Sequence, residues 1–159
     1  MITLRRWHAR DTDALLAVAD DAELRRWTSL RVTDSDEAAA WLQAQHDAWE
    51  AGTRYAFAVE TDESSLLGHV VLKDPHGEAE VGYWTAAAAR GHGVAPAAVR
   101  ELTGWAFTEF PNLPRLRLLH QVGNTGSCRV ALKAGYGYAR TLPPLAPYTG
   151  EGHLHLRER

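Results

Sequence analysis

The stretch from residue 80 to residue 110 constrains the fold of this chain more than any other. A strand-like run at 80–85 leads to a helix-like run at 94–110 through the turn Arg-Gly-His-Gly at 90–93. Two glycines allow the backbone of such a turn to approach a ligand closely, and the first N–H groups of a helix have no partner inside the helix. These donors and the positive end of the helix dipole favour an anion, above all a phosphate or pyrophosphate. Arg90 adds a planar cation suited to phosphate oxygens.

The two glycines also occur in other nucleotide-binding loops, and a nucleotide-binding oxidoreductase is one alternative. The third glycine of a dinucleotide fingerprint would fall on Pro96, and the turn lies past the midpoint of the chain rather than in a first βαβ unit. The chain has no Gly-x4-Gly-Lys-Ser/Thr loop of the kind that binds a nucleoside triphosphate. These features argue against both classes.

Two segments together match the pattern of a known superfamily. Residues 90–95 (RGHGVA) resemble its acetyl-CoA loop, in which an arginine or glutamine stands directly ahead of the glycines. Residues 124–136 (NTGSCRVALKAGY) resemble its Asn-x-x-Ser-x-x-apolar-x-x-Lys-x-Gly-aromatic segment and follow a strand-like run at 116–122. Over residues 2–140 the chain resembles the GNAT superfamily of N-acetyltransferases. The Gly-Tyr-Trp run at 82–84 is similar to the ribosomal-protein N-terminal alanine acetyltransferase branch in particular.

This resemblance implies acetyl-CoA as the acetyl donor. It also implies that the strand ahead of the loop pairs its backbone with the pantetheine arm in a gap between two splayed strands. The loop would then hold the pyrophosphate, Asn124 would reach the pantetheine amides, and Ser127 would lie near the thioester sulfur. Arg129 and Lys133, one helical turn apart, would face either the cofactor's phosphates or solvent. The implied cofactor-binding residues are Tyr83, Trp84, Thr85, Arg90, Gly91, His92, Gly93, Val94, Ala95, Asn124, Ser127, Arg129 and Lys133.

Acetylation of an amine requires a base or a water chain that removes a proton from the ammonium form. Glu78 and Glu80 lie on one face of the predicted strand because side chains alternate along it. A carboxylate beside an apolar cleft suits a general base near neutrality. We expect Glu80 to be catalytic, with Glu78 or a water chain as the alternative. The other alternative is that both carboxylates are simply solvated.

The chain departs from the superfamily at the group that protonates the departing thiolate. Other members place a tyrosine seven residues after the motif asparagine, a position that is Ala131 here. Ser127, or a water that it holds, is the predicted substitute and the second expected catalytic residue. The alternative role for Ser127 is to cap the following helix.

Three other features of the sequence bear on its chemistry. Cys128, near a helix start, is either an acetyl acceptor or, as we expect, a small packing residue. His153 and His155 need further ligands to bind a metal, and no Cys/Asp/Glu cluster in the sequence supplies them, so no metal site is expected. Trp27 stands beside two arginines, in the region where this superfamily binds the acceptor amine.

Charge and composition limit the partners. The 159 residues carry a formal net charge of −3, and the pI near 6.2 gives no electrostatic case for nucleic acid or an anionic membrane. The single cysteine excludes an intramolecular disulfide. The first residues do not read as a signal peptide, and no apolar run approaches ~18 residues. A cytoplasmic protein is therefore expected.

The predicted element order is βααβββαβαββ. It corresponds to an α+β fold, a single GNAT-like domain over residues 1–159, with a mixed, mostly antiparallel twisted sheet of about seven strands flanked by about four helices. We expect an acetyl-CoA-dependent N-acetyltransferase that moves an acetyl group to a primary amine by direct transfer in a ternary complex. The acceptor is a protein N-terminal amine or a small-molecule amine, and the protein is a monomer or homodimer. A catalytically weak GNAT-fold module that binds acyl-CoA is the alternative.

Overall fold

A twisted seven-stranded sheet organises the chain in a computed structural model that describes residues 1–63 and 65–159. The strands are β1 (Ile2–Arg6), β2 (Arg54–Thr61), β3 (Leu66–Lys73), β4 (Glu80–Thr85), β5 (Arg115–Gln121), β6 (Gly137–Leu142) and β7 (Gly152–Glu158). Their order in the sheet is β1-β2-β3-β4-β5-β7-β6. Within this sheet β4 and β5 run parallel and the other neighbours run antiparallel. The mixed, mostly antiparallel α+β fold expected from the sequence is confirmed.

Five α-helices are formed by the described residues, where about four were expected. They are α1 (Thr12–Ala19), α2 (Ala22–Trp27), α3 (Ser35–Glu50), α4 (Val94–Glu109) and α5 (Thr125–Lys133). The additional helix arises because Asp21 is extended and caps α2, its side chain accepting from the N–H of Glu23. The segment therefore forms two helices, α1 and α2, where the predicted element order has one. None of these helices is long and apolar enough to cross a membrane.

The two faces of the sheet carry separate apolar clusters because side chains alternate along each strand. On one face, Val70 and Val81 belong to a cluster with residues of α4 and α5. On the other face, Val71 and Trp84 belong to a cluster with residues of α1, α2 and α3. We call these the α4 face and the α3 face. The helices thus enclose the sheet from both sides, and access to its middle requires two strands to separate.

Candidate active site

The strands β4 and β5 lie side by side at one end only. They pair where Glu80 meets Arg117 and where Val81 meets Leu118, and no further pair joins the two strands in the described part of the chain. Beyond this point β4 continues alongside β3, and β5 continues alongside β7. A gap therefore opens between β4 and β5 toward their C-terminal ends.

Backbone groups of β4 point into this gap. The N–H of Ala86 donates to the carbonyl of Leu67, 2.8 Å away, in the ladder with β3. Because backbone direction alternates along a strand, Trp84 also points to β3, whereas Tyr83 and Thr85 point to the side of β5. Two of the three residues predicted to pair with a pantetheine arm thus present their amides to the gap. Trp84 does not, and its indole ring is buried on the α3 face.

The predicted phosphate-binding turn lies at the start of α4. Gly91 and Gly93 have φ of +79° and +76°, a left-handed conformation that strains other residues, and Gly93 directly precedes the helix. A Cβ built at either glycine would meet no described atom within 4 Å. The glycines are therefore required by backbone conformation, and the space beside them is open. His92 is exposed between them, and Val94 and Ala95, the first residues of α4, are half-buried.

Arg90 is held by a partner that the sequence did not reveal. Its guanidinium donates to the carboxylate of Asp21, the cap of α2. Burial would raise the pKa of Asp21, but the hydrogen bonds from Arg90 and from the backbone N–H of Glu23 lower it below its ordinary value. The pair ties the turn to α2. A guanidinium has five N–H donors, so this contact leaves donors for other oxygens.

A tyrosine and a serine meet across the open gap. The hydroxyl of Tyr83 on β4 donates to Oγ of Ser127 on α5, 2.7 Å away. Ser127 is buried, and burial also raises the pKa of the Tyr83 phenol, a rise that the hydrogen bond to Ser127 partly offsets. The sequence predicted Ser127 and the backbone of Tyr83 separately. It did not predict that the phenol reaches the serine.

Asn124, rather than Ser127, caps α5. Its Oδ1 accepts a hydrogen bond from the backbone N–H of Ser127 at 3.1 Å. The alternative interpretation of Ser127 as the helix cap is therefore wrong. The serine hydroxyl can donate its own proton to a further acceptor because Tyr83 supplies the proton in their mutual bond.

The position of the missing superfamily tyrosine is part of the core. Ala131 is fully buried in the cluster of the α4 face, against which Tyr83 also packs. The hydroxyl of Tyr136 lies 2.7 Å from Thr103 of α4 and is committed to that helix. The phenol that reaches the start of α5 thus comes from β4.

The predicted base lies in a row of charges at the closed end of the gap. Oε1 of Glu80 accepts from Nζ of Lys73 at 2.6 Å, and Oε2 lies 3.7 Å from the guanidinium of Arg117. Arg117 also contacts Glu78, but Glu78 lies in the bend ahead of β4, so the prediction that both carboxylates lie on one face of the strand is wrong. Side-chain alternation places Glu80 on the α3 face, opposite Tyr83 and its partner. The 3.7 Å contact is longer than an ordinary hydrogen bond, which leaves Oε2 the less committed oxygen.

The remaining predicted cofactor residues are on the surface. Arg129 and Lys133 are exposed on α5, in keeping with both of their predicted alternatives.

Trp27, at the end of α2, reaches the loop between β5 and α5, since a Cβ built on Gly123 would lie 3.5 Å from its ring. The guanidinium of Arg26 lies over the same ring at 4.5 Å. These side chains border the mouth of the gap on the α2 side.

Two further candidate metal ligands, which the sequence did not indicate, lie beside His153 and His155 in the fold. Strand pairing places His120 opposite His153, and α5 brings Cys128 to the same cluster. One ligand atom from each of the four residues lies within 4.8 Å of the others. The expectation that this histidine pair lacks partners is therefore wrong.

The family of the chain follows from its sequence over most of its length. Residues 1–137 match the acetyltransferase (GNAT) domain. The chain belongs to the GNAT acetyltransferase family. Membership of this acetyltransferase family supports acetyl-CoA as the acetyl donor, as predicted. The resemblance that the motifs at 90–95 and 124–136 indicated is confirmed.

Relatives and solved structures agree with this assignment. An uncharacterised N-acetyltransferase, p20, of Bacillus licheniformis is 29% identical over 134 residues, which make up 81% of this chain and 75% of the relative. The microcin C7 self-immunity acetyltransferase MccE, solved with acetyl-CoA and AMP, superposes with a TM-score of 0.89 at 15% identity, over 99% of this chain and 92% of that one. A Salmonella typhimurium acetyltransferase that modifies the N-terminal serine of ribosomal protein L7/L12 has a TM-score of 0.85 at 16% identity, covering 99% and 95%. The two structures show a shared fold.

Proposed function

We propose that this acetyltransferase moves the acetyl group directly to a primary amine held in the gap between β4 and β5. The observation that supports it most is the Tyr83–Ser127 hydrogen bond, which sets two hydroxyl groups beside the parted strands. Bound acetyl-CoA supplies an acetyl thioester, whose carbon accepts the amine and whose sulfur leaves as the thiol. The protein has to hold the cofactor, deprotonate the ammonium and stabilise the sulfur.

Holding acetyl-CoA is the task of the open turn and the unpaired edge of β4. The turn at 90–93 and the first N–H groups of α4, at Val94 and Ala95, suit the pyrophosphate because they combine free donors with an open surface. The amides of Tyr83 and Thr85 suit the amide groups of the pantetheine arm in the manner of an added strand. Arg90, positioned by Asp21, and the exposed Arg129 and Lys133 add positive charge for the phosphates. Asn124 retains its amide N–H groups for the arm, because its cap contact uses only the oxygen.

Proton transfer is divided between the two faces of the sheet. Glu80 on the α3 face takes the proton of the ammonium through Oε2, the oxygen that Lys73 does not occupy. On the α4 face, Ser127 donates its hydroxyl proton as a hydrogen bond toward the departing sulfur, and Tyr83 supports it by donating to the serine oxygen. Tyr83 thus acts through Ser127 as a positioning residue. This arrangement replaces the tyrosine that is absent at position 131.

The acceptor belongs to the class of primary amines. The Salmonella enzyme of the same fold modifies the N-terminal serine of a ribosomal protein, which supports a protein N-terminal amine as one acceptor. Trp27 and Arg26 at the mouth of the gap provide an aromatic and cationic border for the acceptor. We infer that a peptide N-terminus or a small amine enters past this border.

A panel of amines tests the proposal. Purified protein with acetyl-CoA is offered peptides with a free N-terminal serine or alanine, amino acids, polyamines and aminoglycosides, and free thiol is measured. The matched control is the same peptides with a blocked N-terminus, which should release no thiol. Protein incubated with acetyl-CoA alone should carry no acetyl group on Cys128 by mass spectrometry. An acetylated Cys128 would contradict direct transfer, and binding of acetyl-CoA without thiol release to any amine would instead support the acyl-CoA-binding module.

A further inference from the structure

Three histidines and the only cysteine of the chain converge beside the start of α5. His120 comes from β5, His153 and His155 come from β7, and Cys128 comes from the first turn of α5. The antiparallel register pairs His120 with His153 and Leu118 with His155, so the three imidazoles share one face. The four candidate ligand atoms lie within 4.8 Å of one another. None of these side chains takes part in the proposed acetyl transfer.

The hydrogen bonds of two imidazoles leave their lone pairs facing each other. Nδ1 of His120 lies 2.7 Å from the carbonyl of Gln121, and Nδ1 of His155 lies 3.3 Å from the carbonyl of Tyr136. A carbonyl only accepts, so we assign the proton to Nδ1 in both rings. Both Nε2 atoms are then acceptors, and they lie 3.0 Å apart. Two acceptors at this distance repel each other unless a cation lies between them.

A proton between the two rings would satisfy only that pair. Nδ1 of His153 is also buried and has no hydrogen-bond partner among the described residues. The thiol of Cys128 lies in the same cluster. A cation that accepts four ligands accounts for all of these groups together, whereas a shared proton accounts for two of them.

We propose that this His3Cys cluster is a binding site for a divalent transition metal of the zinc type. Imidazole nitrogen and thiolate sulfur are ligands that zinc prefers, whereas magnesium and calcium require oxygen ligands. Zinc bonds of about 2.0–2.1 Å to nitrogen and about 2.3 Å to sulfur place the ligand atoms of a tetrahedral His3Cys site about 3.3–3.6 Å apart. The ligand atoms of the present cluster, within 4.8 Å of one another, lie close to this spacing. The carbonyls at Gln121 and Tyr136 orient two of the ligands, as outer partners do in metal sites.

Four protein ligands complete a tetrahedral shell, which makes the site structural rather than catalytic. The metal replaces the thiol proton of Cys128, which is released to solvent, and no change of oxidation state is involved. The ion ties β5 and β7 to the first turn of α5. Ser127, the neighbour of Cys128, would thereby be held in place facing Tyr83.

Cobalt(II) and zinc(II) binding to the purified full chain tests this inference. Metal-free protein titrated with Co²⁺ should bind one equivalent with the intense visible absorption of a tetrahedral centre and with a thiolate-to-cobalt charge-transfer band. Zn²⁺ should displace the cobalt and raise the unfolding temperature, while Mg²⁺ should do neither. Cys128→Ala should abolish the charge-transfer band. His153→Gln should keep that band but lower zinc affinity by ~100-fold or more, at or beyond the loss caused by removing an outer partner.

The control is His46→Gln, which removes an exposed imidazole on α3 and should leave the spectrum and the affinity unchanged. His153 and Cys128 are only partly buried, so their variants are expected to fold, which circular dichroism checks. Absence of a stoichiometric cobalt spectrum in the parent protein would overturn the proposal. Equal zinc affinity in the parent, Cys128→Ala and His153→Gln would also overturn it, since the metal would then bind elsewhere.

Discussion

Replacing Tyr83 with phenylalanine tests the proposed chemistry most sharply. The change removes one oxygen and with it the hydrogen bond to Ser127 Oγ. The ring still packs against the cluster of the α4 face, and the amide of residue 83 still faces the gap. Cofactor binding and folding should therefore be retained, and the loss should fall on the turnover number.

The acidity of the phenol determines how large the loss should be. Burial raises the pKa of Tyr83 above its ordinary value near 10, whereas a thiol such as that of CoA titrates near ~8.5 by analogy with cysteine. The pKa of the phenol thus exceeds that of the thiol by more than about 1.5, so complete proton transfer from the phenol to the thiolate would cost more than about 2 kcal/mol. Tyr83 is therefore expected to donate a hydrogen bond rather than its proton. Removing a direct donor lowers turnover by ~10²–10³-fold. Because Tyr83 acts through Ser127, we expect a smaller loss than this, about 10–100-fold.

Steady-state kinetics of three variants and one control provide the assay. Ser127→Ala should lower kcat by ~10–10³-fold, with acetyl-CoA still binding. The double variant should match Ser127→Ala rather than show the product of the two losses, because the residues act as one unit. Tyr136→Phe is the matched control. It removes another buried phenol, bonded to Thr103, and should lower the free energy of unfolding by about 0.5–1.5 kcal/mol while kcat is unchanged.

Two results would refute this reasoning. The first is wild-type turnover in Tyr83→Phe. The second is independent, multiplicative losses in the double variant. If the control Tyr136→Phe lowers kcat as much as Tyr83→Phe does, the effect of Tyr83 is one of packing. Since the pKa of Tyr83 is raised, its ionisation should also leave the rate unaffected up to about pH 10.

Three further predictions concern the cofactor turn, the base and a buried histidine. Gly93→Val should abolish CoA binding in calorimetry while the protein stays folded. The φ of +76° disfavours valine, and its side chain would fill the open space in which the pyrophosphate binds. The control Gly104→Ala, in the middle of α4, should leave CoA affinity unchanged. Glu80→Gln should lower kcat by ~10²–10⁴-fold with CoA affinity nearly unchanged, while Glu78→Gln should keep the wild-type rate. The reverse pattern would move the base to Glu78. Burial, with the charges of Arg54 and Lys73, holds the pKa of His69 well below its ordinary value. The neutral imidazole therefore contributes fully to the free energy of unfolding above about pH 6.5, and this contribution is lost as pH falls below that value. His69 alone should make the free energy of unfolding in urea about 1.4 kcal/mol larger at pH 7.5 than at pH 5.5. His69→Gln should remove this contribution, which an exposed histidine would not make.

Features that depend on neighbouring residues could be predicted from the sequence. The turn at 90–93 needs left-handed glycines ahead of a helix, and Gly91 and Gly93 have that conformation. The cap of α3 at Asp34 and the alternating strands were likewise predictable, because each depends on a few consecutive side chains. The order of the elements and the mixed sheet followed from these local signals together with the resemblance.

Contacts between distant residues were decided by tertiary structure alone. Tyr83 and Ser127 are 44 positions apart, Arg90 and Asp21 are 69 apart, and His120 and His155 are 35 apart. No local pattern encodes such pairs, because they arise only when strand order and register bring two segments together. The sequence therefore indicated a serine without its tyrosine and two histidines without their partners. The separation of β4 from β5 decided that Tyr83 reaches Ser127, and the pairing of β5 with β7 decided that His120 joins His153 and His155.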